Sequence, residues 1–464
     1  MGTMIESLGD YINGQFVKGE GQSFSSYNPA KQGTKVFTAH EYDASVDKAI
    51  HAAREALKSW RRSGLEARIE ALKAVAALVP EHQAGIAEAI SLEMGKSFNE
   101  AMMEAGSIKS KIEGVIAQIT KTLPQATDEA PGEQRFHPLG VIAVIGPFNF
   151  PIHLLNTHIV PSLLTGNTVV IKPSEVTPLC GQRYAELFHA AGFPAGVFNL
   201  IQGQGANGAA LSAHPKVNGV IFTGSYETGR KIRRVTFDQA HKKVCLELGG
   251  KNPAVVLDDA DLEQVTREIL LGALLTSGQR CTATSRVIAT AGIAPALKRR
   301  LVEAFKRIRP LDPFDQNCFI GPLANQAAKH RFMTLLDEAK SQGAEPWVDS
   351  ESIPGGAFVT PSIYGVKGDE DYLEHELFGP HISFQTVQND EEAIAAAAKN
   401  SYGLSASLFT QREDMFETFY DEVAVGVLNW NRSTNGASGL LPFGGVGKSG
   451  NWHPAGSEGP RLST

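Results

Sequence analysis

The chain is poor in the residues that build disulfide scaffolds and metal clusters. Four cysteines, at 180, 245, 281 and 318, are scattered over 464 residues, too sparse for a disulfide framework. No CxxC pair occurs, and no His/Cys group has zinc-ligand spacing, so no metal site is expected. This usage fits a reducing, cytoplasmic setting. Long apolar runs are missing too: none reaches the roughly 18 residues needed to span a bilayer. The first residues have no cationic start followed by an apolar stretch, so no signal peptide is expected. There is also no long basic tract. Lys and Arg number 43 against 50 Asp and Glu, a net charge of −7, which argues against nucleic acid and anionic membranes as partners. The short cluster Arg230-Lys231-Ile232-Arg233-Arg234 reads as a solvated helix face.

What remains is an ordinary globular composition, 42% hydrophobic and 20% charged, over a length that suggests two or three domains. Val46, Ala49, Ile50, Ala53, Leu57 and Trp60 recur on one helical face, and Ile69, Leu72, Ala76 and Val79 repeat the pattern until Pro80 interrupts it. The first third is therefore expected to be largely helical. Residues 120–138 are polar and Pro-bearing and read as an excursion from the main domain. Short β-branched runs then alternate with helix-compatible stretches: Val141–Ile145, Thr168–Ile171, Val197–Ile201 and Val220–Phe222, separated by 152–165, 178–191 and 205–213. Such alternation predicts a doubly wound parallel sheet. A second α/β region begins near 250 with a strand at Ala254–Leu257 and a helix at Leu262–Leu275. The Gly-rich segment Gly436–Gly450 reads as a loop that passes close to something.

Ligands of parallel sheets sit beyond the carboxyl ends of the strands. Those ends carry Gly146-Pro147-Phe148-Asn149, Lys172-Pro173-Ser174-Glu175, Gly203-Gln204-Gly205 and Thr223-Gly224-Ser225. Gly203, Gly205 and Gly208 form a GxGxxG, but the acidic residue expected about 20 positions on is missing. The segment reads as a strand-to-helix turn. Gly224, Ser225 and Gly229 open a helix that could hold a pyrophosphate, although Ser225 alone is equally a plain N-cap. Lys172 and Glu175 could take ribose hydroxyls or form a surface ion pair. Asn149 could donate to an oxyanion or simply sit in a turn. Cys281, in Gly278-Gln279-Arg280-Cys281, is a candidate nucleophile, and Glu247, in Glu247-Leu248-Gly249-Gly250, a candidate base.

Taken in order, these motifs resemble the aldehyde dehydrogenase superfamily. The carriers are Gly146–Pro151, Lys172–Glu175, Phe222–Ser225, Glu247–Gly250, Gly278–Cys281, Glu376-Leu377-Phe378-Gly379-Pro380 and Pro442-Phe443-Gly444-Gly445. Within it the chain is most similar to the branch that oxidises succinylglutamic semialdehyde. Asn149–His153 through His158–Pro161, Asn429-Trp430-Asn431 and Ser449-Gly450-Asn451 carry that likeness. It departs from the branch after Asn451, reading Trp452-His453-Pro454-Ala455-Gly456 where His-Arg-Pro-Ser-Ala is usual.

The resemblance implies an NAD-binding domain over 1–119 and 139–248, a catalytic domain over 249–445, and a bridging or oligomerisation element at 120–138 and 446–464. It implies a homodimer or homotetramer acting on a small aldehyde with NAD as cofactor. Cys281 would attack the aldehyde, Asn149 would hold the oxyanion, and Glu247 would activate water to release the acid. Lys172, Ser174, Glu175, Gly224, Ser225, Gly229, Glu376 and Phe378 would bind the cofactor. His153 and His158 read as either entrance-shaping or satisfied interior histidines. Arg280 and Arg432 are nominees for the substrate carboxylates. Retained Glu247 argues against a CoA-dependent acylating variant, and retained Cys281, Glu247 and Asn149 argue against a non-enzymatic binding protein on the same scaffold.

Overall fold

A computed structural model describes residues 5–19, 21–122 and 135–464. Two seven-stranded sheets organise them. The first runs in the order Gln15–Val17, Asp10–Ile12, Phe198–Leu200, Thr168–Lys172, Val141–Ile145, Gly219–Thr223, Lys243–Glu247. Its five later strands are parallel; the two N-terminal ones are antiparallel at the edge. Val141–Ile145 is buried at all five positions, as expected of a strand covered by helices on both faces. The second sheet runs Glu345–Val348, Ser362–Val366, His381–Val387, Thr284–Thr290, Asn252–Val256, Ser405–Phe409, Val427–Trp430. The predicted α/β class is the one observed, with an additional three-stranded sheet and a two-stranded hairpin.

The first sheet reverses its strand order between Val141–Ile145 and Gly219–Thr223. A crevice opens beyond the strand ends at such a switch point, and the loops Gly146–Asn149 and Thr223–Ser225 leave from there.

Three local expectations change. Pro80 does not interrupt its helix, which runs from Leu65 to Met94. A Pro inside a helix costs about 3 kcal/mol. That cost is outweighed by the apolar stripe on both sides of it: Leu72, Val75 and Val79 before, Ile86 and Ile90 after, all buried, at about 1.5–3 kcal/mol per side chain. Pro80 itself faces solvent. The segment Gly436–Gly450 is not all loop. Pro442–Gly447 is a strand, paired with Tyr402–Gly403 and Trp452–Gly456. Its glycines suggested a loop, but pairing decides, and Gly426, Gly444 and Gly445 let backbones meet where a Cβ would not fit. Of the polar stretch 120–138, residues 120–122 finish the helix Phe98–Thr122, and 123–134 lie outside the described residues.

Candidate active site

The turn before Cys281 is built from left-handed backbone. Thr276, Ser277 and Gly278 have φ of 57°, 55° and 71°, a conformation that costs non-glycine residues of order 1–2 kcal/mol each. Side chains hold it. The Thr276 N–H and hydroxyl donate to Glu100 at 3.1 and 2.9 Å, and the Ser277 hydroxyl donates to the Gly321 carbonyl at 2.9 Å. Gly278 must be glycine here, since a Cβ would lie 2.2 Å from the Gly379 carbonyl oxygen. Arg280 belongs to this support. It donates to Glu100 at 2.7 Å and to Thr276 Oγ1 at 2.9 Å. Its charge is thus already paired, which removes it as a free partner for a substrate carboxylate. Arg432 is exposed and does not line the cavity described below.

Asn149 follows the end of strand Val141–Ile145 and is 3% exposed. Its Nδ2 donates to the Gln279 carbonyl at 2.8 Å, tying the loop to the backbone two residues before Cys281. Glu104 fixes the other side of that loop, accepting from the Ile152 and His153 N–H groups at 3.1 Å each. Glu104 is itself buried in an ion pair with Lys96, whose ammonium lies 3.6 Å from the centre of the Phe150 ring.

Glu247 closes the last strand of the first sheet and is 4% exposed. Gly450 bridges to it. Asn451 brackets the strand, accepting from Leu246 N–H at 2.7 Å and donating to the Val244 carbonyl at 2.7 Å. Glu247 Oε1 has no partner among the described residues. Burial alone therefore holds its carboxyl well above the usual carboxylate range. Cys281 is partly buried, whereas the other three cysteines are fully buried. Burial first, then the Glu247 and Glu376 carboxylates, push its thiol up to about 12; the Thr282 and Cys281 backbone N–H groups pull the other way.

A cavity of about 840 Å³ joins these elements, lined by Cys281, Asn149, Lys172, Ser174, Glu175, Gly224, Ser225, Glu376 and Phe378 among others. Two expected residues do not line it. Glu247 is absent from the lining although the next residues, Leu248 and Gly249, belong to it, and Gly229 faces Leu248, where a Cβ would lie 2.8 Å from the leucine side chain. Ser225 acts as an N-cap, accepting from Thr228 N–H at 3.3 Å. Lys172 is buried, donating to the Pro173 carbonyl at 2.8 Å and to Glu175 at 3.4 Å. Glu376 Oε1 accepts from Gly250 N–H at 2.9 Å, and burial raises its carboxyl to about 7. Phe378 has φ 55° and meets Phe148 edge-on at 5.8 Å. Gly205 and Gly208, read as turn glycines, also line the cavity.

The model of the aldehyde dehydrogenase family matches residues 16–461. The chain belongs to the aldehyde dehydrogenase family. Lactaldehyde dehydrogenase from Escherichia coli is 32% identical, with a TM-score of 0.93 over 98% of this chain and 96% of that one. A 1-pyrroline-5-carboxylate dehydrogenase from Thermus, solved with bound NAD, is 29% identical, with a TM-score of 0.93 over 98% and 91%. An NAD-dependent aldehyde dehydrogenase from Sinorhizobium meliloti is 30% identical, with a TM-score of 0.93 over 98% and 92%.

Three supports of this aldehyde dehydrogenase site escaped sequence reasoning. Glu104 and Glu100 carried a faint signal, since Glu104 falls on the apolar stripe Ala101, Ala105, Ile108 and Ile112 of its helix. Arg331 carried none. It reaches from the helix Gln326–Ser341 to the Glu376 and Leu377 carbonyls, at 2.7 and 3.4 Å. His153 shares a 3.0 Å hydrogen bond with Ser107. His158 is interior but not satisfied, because its Nε2 finds no partner among the described residues.

Proposed function

We propose that the protein oxidises an aldehyde to a carboxylic acid with NAD, through a thioester on Cys281. The observation that carries this reading is the meeting of Cys281 and Asn149 in the wall of one cavity, with the unpartnered carboxyl of Glu247 next in the chain to the lining residues Leu248 and Gly249 and close enough to act electrostatically on Cys281.

The cavity walls fit a dinucleotide. Lys172 and Glu247 end strands separated by two others in the first sheet, so the span between their loops is about 14 Å at roughly 4.8 Å per strand. Along that span lie Gly224 and Ser225 at the N-terminus of helix Tyr226–Thr236, where anions are favoured. Lys172 with Glu175 at one end, and Glu376 with Phe378 at the other, are the groups that would hold the riboses. NAD, when bound, supplies the two-electron acceptor.

The chain's own residues do the rest. The Cys281 thiol gives up its proton to water, and its sulfur adds to the aldehyde carbon. Asn149 has a second Nδ2 proton beyond the one given to Gln279, and it donates that proton to the developing oxyanion. One such donor contributes about 3 kcal/mol in comparable sites. Glu247 takes a proton from the water that cleaves the thioester.

For the substrate we retain N-succinyl-L-glutamate 5-semialdehyde, of arginine catabolism, supported by the Asn149–Pro161 and Asn429–Asn431 segments. Succinate semialdehyde is the alternative within the same chemistry. The test is NADH formation without CoA across these two and an uncharged aliphatic aldehyde. A preference for the aliphatic aldehyde would overturn the substrate and leave the reaction. The expected homo-oligomer is supported by exposed Leu440, Leu441 and Trp452 on and beside the C-terminal hairpin.

A further inference from the structure

Outside the cofactor cavity, the helix Phe98–Thr122 and the helix His153–Leu164 pack together, with Ser107 on His153 and the Ile108 carbonyl accepting from Asn156 at 3.3 Å. Three cations stand in this neighbourhood, all acting electrostatically on His153: Lys96, Lys111 and Arg280. Two are balanced, Lys96 by Glu104 and Arg280 by Glu100. Lys111 is not. It is partly buried and has no hydrogen bond or ion pair among the described residues. Removal from water without a counter-charge is unfavourable for an ammonium, and burial lowers its proton affinity accordingly. The unpartnered Nε2 of His158 feels the same lysine.

The loop beside Lys111 is tied to Thr282, the residue after the nucleophile. The Thr434 hydroxyl donates to the Thr282 carbonyl at 2.7 Å, and the Thr282 hydroxyl donates to Asn435 Oδ1 at 2.7 Å. Four residues after Asn435, a Cβ on Gly439 would lie 3.9 Å from Lys111 Nζ. One short loop thus runs from the neighbour of Cys281 to the unpaired lysine.

We propose that Lys111 is a specificity-determining residue, the cation that takes a carboxylate carried by the aldehyde substrate. This rests on the acidic-semialdehyde reading given above. The surplus positive charge of the three-cation group is matched by a single carboxylate, and among the described residues none supplies it. Arg280, nominated from sequence for this task, is held instead by Glu100.

The test compares wild type, Lys111→Met and Lys111→Arg, each as the full chain with NAD, on succinate semialdehyde and on butanal. The wild type prefers the acid. In Lys111→Met the ratio of kcat/KM for succinate semialdehyde over butanal falls by about tenfold or more, mainly through KM, and Lys111→Arg recovers part of it. If wild type prefers the acid and Lys111→Met keeps that ratio, the lysine assignment is wrong while the acidic substrate stands. Both substrates falling together would equally overturn it, since the lysine would then serve the fold. A wild type with no preference for the acid overturns the substrate reading and the lysine with it.

Discussion

The carboxylate of Glu376 rests on the backbone of Gly249: a Cβ built on that glycine would lie 2.2 Å from Glu376 Oε2, while the next N–H, from Gly250, donates to Oε1 at 2.9 Å. Gly249→Ala must therefore displace Glu376 from the cavity wall. A charge-assisted hydrogen bond is worth about 1.5–3 kcal/mol, or roughly 10- to 100-fold in affinity. The expected outcome is a KM for NAD raised by at least about tenfold. An unchanged KM would mean that Glu376 does not hold the cofactor.

The Lys96–Glu104 pair is expected to serve both stability and catalysis. Lys96→Met leaves a buried carboxylate without its counter-charge, which costs about 3–5 kcal/mol. The same carboxylate holds the loop after Asn149, so kcat should fall as well. Denaturant unfolding and steady-state rates check the two effects separately. A variant as stable as wild type would refute the assignment.

The raised carboxyl of Glu247 sets a pH dependence. The base form fills as pH rises through that elevated pKa, so thioester hydrolysis should speed up with rising pH over a range above that of an ordinary carboxylate, and slow as pH falls through it. The deacylation rate, read by single-turnover kinetics, is predicted to lose this limb in Glu247→Gln.

The thiol of Cys281 is predicted to resist alkylation at neutral pH in the absence of cofactor. Its midpoint should lie well above the roughly 8.5 of a free cysteine, because burial and two carboxyls oppose the thiolate. Glu247→Gln removes one of them and should lower the midpoint without returning it to the free value. Iodoacetamide modification followed against pH measures it; a wild-type midpoint at or below the free value contradicts the description.

Much of the fold was legible because buried parallel strands read as unbroken β-branched runs: Val141–Ile145 and Ala254–Leu257 differ from the observed strands by at most two residues. What failed was decided by distant partners. Pro80 sits in a helix held by packing on both sides, and Pro442–Gly447 becomes a strand only because Tyr402 and Trp452 flank it. The site divides the same way. Cys281, Asn149 and Glu376 stand in recognisable strings, whereas Glu100, Glu104 and Arg331 act through hydrogen bonds between residues far apart in the chain.

The central claim is that Cys281 carries the acyl group and Glu247 releases it. Glu247→Gln, mixed with NAD and excess succinate semialdehyde, should give one rapid burst of NADH equal to the enzyme concentration, with the succinyl mass found on Cys281 by peptide mass spectrometry. Steady turnover at the wild-type rate, or a burst with no acyl group on Cys281, would contradict it.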